Sequence, residues 1–234
     1  MILFSENGKE RLKKNFFEYN ICFFDSIDST QLECEKKYDL NPSGKWLILA
    51  NQQTSGRGRY SRSWQSEKNV NIYMSFTINN YFSNIGYLNL FFGSILYETI
   101  SSLYGNFGGD LTVKWPNDLY IGDKKLAGIL FQSLDSKIKN VIVGIGINVY
   151  ASESQIPVTG TSLYMAGVKA DRLDIIEKLL DNVKLKSINN DENGSIILSD
   201  FWNYAARTRL YPYCYTCFSY KYEGILKEIC TMPR

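Results

Sequence analysis

The sequence contains no histidine, and this absence excludes several kinds of active site. A chain without imidazole groups cannot build a Ser-His-Asp or Cys-His catalytic centre, a histidine-ligated metal site, or a histidine general acid or base. Any catalysis must therefore use lysine, arginine, aspartate, glutamate, amide groups or a bound metal ion.

Strong net charge and long apolar runs are also absent. The formal net charge is only +2, which gives no reason to expect a nucleic-acid partner. No stretch approaches the roughly 18 consecutive apolar residues of a membrane-spanning helix. The first residues, MILFSENGKERLKK, place their charges after a very short apolar start and lack the pattern of a signal peptide. These features predict a cytoplasmic protein without a membrane partner.

The cysteines give little support to a metal or redox centre. There are five, an odd number, and Cys22 and Cys34 lie in apolar or helical stretches. Cys214 and Cys217 have the C-x-x-C spacing of zinc and redox sites, but a suitable partner pair is missing. Free thiols of a cytosolic protein are therefore favoured over a zinc site.

Apolar and aromatic residues, by contrast, are plentiful enough for a large core. They make up 44% and 15% of the 234 residues, which excludes a disordered chain. Their periodicity predicts an α+β fold. Strands are predicted within 20–30, over 45–51, over 69–78 with one buried face, three times within 111–134, and over 140–150. Helices are predicted over 31–38, 85–105 and 171–188 and around 197–206.

The stretch QTSGRGRYSRSW, residues 53–64, concentrates positive charge. Arg57, Arg59 and Arg62 fall within six residues without a carboxylate between them. Gly56 and Gly58 let backbone N–H groups turn toward an anion, and guanidinium groups bind phosphate or carboxylate as forked donors. The following Trp64 can stack on a flat ring. An anion site is favoured here over a solvated basic loop.

Three further motifs are less specific when taken singly. Asn117 and Asp118 of KWPNDL can bind Mg²⁺ or a ribose, although an ordinary Asn-Asp turn is the better interpretation of that motif alone. Lys125 begins an apolar strand and either holds an anion or extends its ammonium group to solvent. Asn148 ends the strand GIGIN and can pair with an adenine edge, but the motif lacks the third glycine of a dinucleotide-binding loop.

Together, these motifs fit the activation of a carboxylate by ATP. The carboxylate would attack the α-phosphorus, and arginine and lysine would hold the charge that spreads over the phosphoryl oxygens. Such a reaction needs positioning and charge neutralisation, and no histidine.

The same motifs resemble the biotin protein ligase family, in the order DSIDST (25–30), QTSGRGRYSRSW (53–64), KWPNDLYIGDKKLAGIL (114–130), GIGINV (144–149) and TSL (161–163). The resemblance covers roughly residues 20 to 205. It implies a mixed β-sheet packed by helices, as in the class II synthetase-like catalytic domain of biotin and lipoate ligases. The family makes biotinyl-5′-AMP from biotin and ATP-Mg²⁺ and transfers biotin to one lysine of an acceptor such as biotin carboxyl carrier protein.

The resemblance also implies roles for individual residues. As catalytic residues it implies Arg57, Arg59, Lys125 and Asp118, with Lys125 bridging the biotin carboxylate and the α-phosphate and Asp118 as a metal ligand. As biotin contacts it implies Ser29, Thr30, Gln31, Gln53, Gly56, Arg57, Gly58, Arg59, Lys125, Gly128 and Gly146. As ATP contacts it implies Arg59, Arg62, Trp64, Lys114, Asn117 and Asn148. Residues 53–64 would form a loop that closes over the adenylate.

The sequence departs from the family pattern at three places. About 20 residues precede the first strand, too few for a helix-turn-helix, so a repressor role is not expected. We expect a catalytic domain over 1–205 and a truncated SH3-like segment over 206–234. Gln31 stands where many members carry asparagine. A lipoate or octanoate ligase and a non-catalytic biotin-binding relative remain as alternatives, and a homodimer is compatible with the family pattern.

Overall fold

The computed structural model describes residues 5–79, 85–105, 107, 110–114 and 116–188. The elements within them are, in chain order, α1 (Glu6–Asn15), β1 (Asn20–Phe24), α2 (Thr30–Leu40), β2 (Trp46–Ala50), β3 (Ile72–Asn79), α3 (Ile85–Tyr104), β4 (Leu111–Lys114), β5 (Asp118–Ile121), β6 (Lys124–Ser133), β7 (Asn140–Ile147) and α4 (Arg172–Ile188). The predicted helix around 197–206, the domain boundary after 205 and Cys214, Cys217 and Cys230 lie outside the described residues.

The strands form one mixed sheet in the order β1-β2-β3-β7-β6-β5-β4. β1 and β2 run parallel, and α2 supplies the crossover that a parallel pair requires. The remaining neighbours pair antiparallel, so that β3, β7 and β6 form the centre of the sheet. The predicted mixed sheet packed by helices is confirmed.

Helices cover both faces of the sheet. α2 packs on one face, where Cys34 meets Ile48 of β2 and Ile142 of β7. α1, α3 and α4 lie over the main core on the other face, which contains Leu49 and Phe92 among many apolar side chains. Most of the predicted site residues lie where the α2 face meets the loop 53–64.

The prediction that the strand over 69–78 has one buried face is wrong. Six consecutive residues of β3, beginning at Ile72, are buried, and the set includes Tyr73 and Ser75 on the face that looks polar in the sequence. β3 pairs with β2 and β7 and lies under α2, so both of its faces are covered.

Several local signals act as the sequence predicts. α3 ends at Gly105, whose φ of 83° is readily adopted by glycine. Gly122, with φ of 55°, forms the predicted turn between β5 and β6. α1 was not predicted, although Ser5 caps it by accepting a hydrogen bond from Gly8 N–H at 3.2 Å.

Two other predictions concern cysteines and membranes. Cys22 and Cys34 are free thiols, as predicted, and burial raises the pKa of the Cys34 thiol. Among the helices of the described residues, none has both the length and the apolar character needed to cross a bilayer.

Candidate active site

One cavity brings together the start of α2, the strands β3, β6 and β7, and the loop that follows β2. The predicted site residues that line it are Ser29, Thr30, Gln31, Gln53, Arg57, Gly58, Arg59, Arg62, Trp64, Asn117, Asp118, Lys125, Gly128 and Gly146. Gly56, Lys114 and Asn148 were predicted as site residues but do not line it. The cavity thus assembles motifs that are spread over more than 110 positions of the chain.

The buried part of the cavity is polar but uncharged. Both the N–H and the hydroxyl of Thr30 donate to Gln53 Oε1, at 2.9 and 3.0 Å. Gln53 Nε2 donates to Ser66 Oγ at 2.9 Å. These contacts fix Gln53 beside the N-terminus of α2. The Thr30 N–H can only donate, so it sets the orientation of the Gln53 amide.

Ser29 adds an unsatisfied hydroxyl to this region. It precedes α2 as the N-cap residue, but its side chain forms no capping hydrogen bond. Its Oγ is buried and has no hydrogen-bond partner among the described residues. Because buried hydroxyls are nearly always paired, a ligand group is the natural partner for it.

Ser75 and Gly144 also line this part of the cavity, and neither was predicted as a site residue. The hydroxyls of Ser75 and Thr30 lie 2.8 Å apart. A side chain at position 144 would collide with Gln31 Oε1, so glycine is required there for Gln31 to lie across β7. The alternating glycines of GIGIN were the only available signal for Gly144.

The other part of the cavity carries the charged groups. Lys125 Nζ forms an ion pair with Asp118 at 2.8 Å and lies 5.1 Å from the centre of the Trp64 ring. Both charged side chains are partly buried, at 29% and 21% exposure, so water screens this pair less than a surface pair. β5 and β6 bring them together because Asp118 pairs with Gly128 in the register.

Backbone hydrogen bonds hold the start of the loop 53–64, where Thr54 and Ser55 donate to the carbonyls of Ile27 and Asp28. Arg59 donates to Asn117 Oδ1 and to the Tyr60 hydroxyl, both at 2.9 Å, whereas Arg57 is exposed. Tyr60 and Ser61 both have positive φ, of 56° and 58°. Two successive non-glycine residues in this left-handed region store conformational strain, which is common in segments that move during function.

Trp64 lies against the strands that carry Gly128 and Gly146, two of the predicted biotin contacts. A Cβ atom on Gly146 would lie 2.5 Å from Trp64 Cε2, and one on Gly128 would lie 3.1 Å from Trp64 Cζ3. The two glycines therefore make room for the indole, and Trp64 Nε1 is buried without a hydrogen-bond partner among the described residues. Gly56 serves a local purpose too, because its Cβ would lie 2.5 Å from the carbonyl oxygen of Trp64.

Asn148 and Lys114 lie outside the lining of the cavity. Asn148 Nδ2 donates to the Thr161 carbonyl at 3.0 Å, and its Oδ1 accepts from Asn71 Nδ2 at 3.3 Å. These contacts fix the Asn148 side chain, which is 5% exposed. Lys114 Nζ lies 4.7 Å from the ring centre of Tyr120.

The described residues contain no cluster of three or more His, Cys, Asp or Glu side chains that could hold a metal ion by itself. Asp118 is the carboxylate among the described residues that line the cavity, and it is paired with Lys125. A magnesium ion at this place would need most of its ligands from phosphate oxygens and water, which is how Mg²⁺ commonly binds with nucleotides.

Comparisons with known proteins agree with this arrangement. The profile of the Biotin/lipoate A/B protein ligase family matches residues 23–148. The bifunctional ligase/repressor BirA of Bacillus spizizenii is 33% identical over 178 residues, which are 72% of this chain and 54% of that protein. The biotin--[acetyl-CoA-carboxylase] ligase of Mycobacterium tuberculosis is 30% identical over 61% of this chain and 54% of its own length. The chain thus spans about half the length of the curated relatives it matches.

Solved structures give the same assignment. Biotin protein ligase from Aquifex aeolicus in complex with biotin and ATP superposes with a TM-score of 0.60 at 33% identity, over 71% of this chain and 69% of that chain. The Leishmania major enzyme in complex with biotinyl-5-AMP has a TM-score of 0.65 over 82% and 84% of the two chains, and at 21% identity it supports the fold alone. The family profile covers more than half of the chain, and the chain therefore belongs to the biotin/lipoate A/B protein ligase family.

Proposed function

We propose that this protein attaches biotin to a lysine of an acceptor protein in two steps, with biotinyl-5′-AMP as the intermediate. The observation that carries this proposal is the polarity of the cavity, which is buried and neutral at one end and cationic at the other. A biotin molecule has the same division, with an uncharged ureido ring at one end and a carboxylate at the other.

The neutral end supports biotin over lipoate or octanoate. Ser29, Thr30, Gln31 and Ser75 are all at least 95% buried and present hydroxyl and amide groups, which match the N–H and C=O groups of a ureido ring. A dithiolane or an alkyl chain would leave the buried Ser29 hydroxyl, which has no partner among the described residues, still unpaired, and this costs binding energy.

The cationic end supports adenylation. Lys125, Arg57, Arg59 and Arg62 all line the cavity, and we propose that the biotin carboxylate meets ATP among them. The carboxylate oxygen attacks the α-phosphorus, and pyrophosphate leaves with the electrons of the broken P–O bond. We assign Lys125 to the bridging oxygens and the arginines to the phosphates, where fixed positive charge lowers the barrier.

The nucleotide would lie on the side of Trp64 and Asn117. We assign the flat indole of Trp64 to the adenine ring and Asn117 to the ATP side. Lys114 and Asn148 do not line the cavity and stay predicted ATP contacts. Mg²⁺, when bound with ATP, neutralises phosphate charge, and Asp118 offers it a carboxylate ligand.

In the second step the acceptor lysine amine attacks the carbonyl carbon of the mixed anhydride, and AMP leaves. Water would compete with the amine, so the adenylate must be shielded until the acceptor arrives. The strained loop 53–64, which carries Arg57 and Arg59, is suited to close over it. Two of the curated relatives are named as ligases of acetyl-CoA carboxylase, and we propose a biotin carboxyl carrier domain as the acceptor. A cytoplasmic location and a homodimer remain predictions.

The transfer can be tested with purified protein, ATP, Mg²⁺, biotin and a recombinant biotin carboxyl carrier domain. We expect a mass increase on one lysine of the carrier that requires both ATP and biotin. A carrier with that lysine replaced by arginine is the control. Transfer of lipoate but not biotin would reassign the protein within its family, and biotin binding without transfer would indicate a non-catalytic relative.

A further inference from the structure

A chain of hydrogen bonds leads away from the cavity through two residues outside its lining. Gln31 Nε2 donates to Gln132 Oε1 at 3.4 Å. Gln132 Nε2 in turn donates to Glu35 Oε1 at 2.6 Å. Glu35 lies on α2, one turn after Gln31, and Gln132 lies on β6, so the chain joins the helix to the sheet behind the site.

The carboxylate of Glu35 sets the direction of this chain. An ionised carboxylate can only accept hydrogen bonds, so Gln132 must direct its NH₂ group to Glu35 and its carbonyl oxygen to Gln31. Gln31 must then direct its NH₂ group to Gln132. Its carbonyl oxygen is left facing the Ser75 hydroxyl at 3.2 Å. The Ser75 hydroxyl has one proton, which it shares between this oxygen and the Thr30 hydroxyl oxygen at 2.8 Å.

The carbonyl oxygen of Gln31 is therefore an acceptor at the buried end of the cavity. Gln31 is only 3% exposed, and Gly144 leaves the space in which this oxygen lies. A carbonyl oxygen has two lone pairs, and the Ser75 hydroxyl uses at most one of them. The second can accept an N–H of a ligand.

We propose that Glu35 and Gln132 are positioning residues, which hold the Gln31 carbonyl oxygen toward a ureido N–H and thereby select cyclic ureas over acids without such a group. The inference rests on the proposed function and adds a specificity device to it. Without Glu35, the Gln132 and Gln31 amides can rotate by half a turn and present NH₂ to the ureido N–H. Two donors would then face each other, and the ligand would lose a hydrogen bond.

The test is a kinetic comparison of wild type, Glu35→Gln and the swapped variant Glu35→Gln/Gln132→Glu in biotin-dependent ATP–pyrophosphate exchange. For Glu35→Gln we expect the KM for biotin to rise about 3- to 10-fold, as for one lost neutral hydrogen bond. The KM for ATP and kcat stay at wild-type values, since the nucleotide end is untouched. The preference for desthiobiotin, which keeps the ureido ring, over octanoate falls by the same factor.

The swapped variant separates positioning from general stability. A carboxylate at position 132 again faces Gln31 Nε2 as a pure acceptor, so the KM for biotin should return toward that of wild type. Glu33→Gln is the matched control, because Glu33 lies on the same helix and pairs with the surface residues Lys36 and Lys37 at 3.9 and 3.7 Å. It should leave the KM for biotin unchanged.

Three outcomes would overturn the inference while leaving the proposed function intact. The first is a wild-type KM for biotin in Glu35→Gln. The second is a raised KM that the swapped variant does not restore, and the third is an equal rise of the KM in Glu33→Gln. Biotin titration calorimetry on the same variants gives the affinity ratio if a variant turns over too slowly to assay. A wild-type protein that shows no biotin-dependent exchange would instead overturn the proposed function, and this inference with it.

Discussion

Replacing Gly146 by alanine tests the contact between β7 and Trp64. A Cβ at this position would lie 2.5, 2.7 and 2.8 Å from Cε2, Nε1 and Cζ2 of the indole. Ordinary contacts between such atoms are about 3.5–4.0 Å, so the ring must move by about 1 Å. The Trp64 backbone is held by its N–H, which donates to the Gly56 carbonyl at 2.8 Å. The side chain therefore takes up the displacement.

Overpacking of this kind costs about 1–3 kcal/mol in a closed core. Trp64 is only partly buried, so we expect the lower half of that range, about 1–2 kcal/mol. For a protein of this size the melting temperature should fall by about 2–8 °C. The KM for ATP should rise as well, because the displaced indole is the side chain assigned to the adenine ring.

The assay is thermal unfolding in a double-mutant cycle with Trp64→Ala. With the indole removed, Gly146→Ala should cost less than about 0.5 kcal/mol, since the three nearest contacts of the methyl group all belong to the indole. Gly128→Ala, whose nearest contacts are 3.1 Å, should be milder in the wild-type background. An equal cost of Gly146→Ala with and without the indole would refute the contact.

Three further predictions concern charge. Lys125→Met should lower the rate of pyrophosphate exchange about 100-fold through loss of phosphoryl charge stabilisation. Lys124 is adjacent and exposed, so Lys124→Met should leave this rate unchanged. Equal effects of the two substitutions would contradict a catalytic role of Lys125. Arg57→Gly should release biotinyl-5′-AMP faster during rapid gel filtration, and wild-type retention together with wild-type biotin affinity would contradict the proposed loop closure. Hydrogen bonds from the backbone N–H groups of residues 139, 140 and 137 hold the pKa of Asp135 below its usual 3.8. This carboxylate stabilises the fold above about pH 4 and ceases to do so as pH falls through its lowered pKa. Asp135→Ala should therefore lower the urea midpoint of unfolding at pH 7 but not near pH 2. The same decrease of the midpoint at both pH values would contradict this role of Asp135.

Much of the fold could be predicted because local signals and tertiary contacts agree. The apolar periodicity of α3 and α4, and the glycines at 105 and 122, specify helices and turns without reference to the rest of the chain. β3 is the exception. Tyr73, Ser75 and Thr77 look like a solvent face in the sequence, yet each is at least 95% buried under neighbouring elements. That burial depends on where the strand lies in the sheet, which periodicity does not encode.

The candidate site, like the fold, has a part that could be predicted from the sequence and a part that could not. The resemblance of their motifs to the family predicted that the arginines, Lys125 and Asp118 share one site, and they do line one cavity. The contacts of Gln31 could not be predicted, because its partners Ser75 and Gln132 lie 44 and 101 positions away. Glutamine and serine in a strand carry no signal until the sheet brings them against the start of α2. The place of Trp64 on Gly128 and Gly146 likewise follows only from the packing of the loop on β6 and β7.

ATP–pyrophosphate exchange by the purified protein shows whether this cavity adenylates biotin. The exchange is measured with biotin, with lipoate and with neither acid. We expect exchange that requires biotin, since the reverse reaction regenerates labelled ATP only when biotinyl-5′-AMP forms. Exchange with lipoate alone, or no exchange with either acid by a protein whose fold is intact, would contradict the proposed adenylation of biotin.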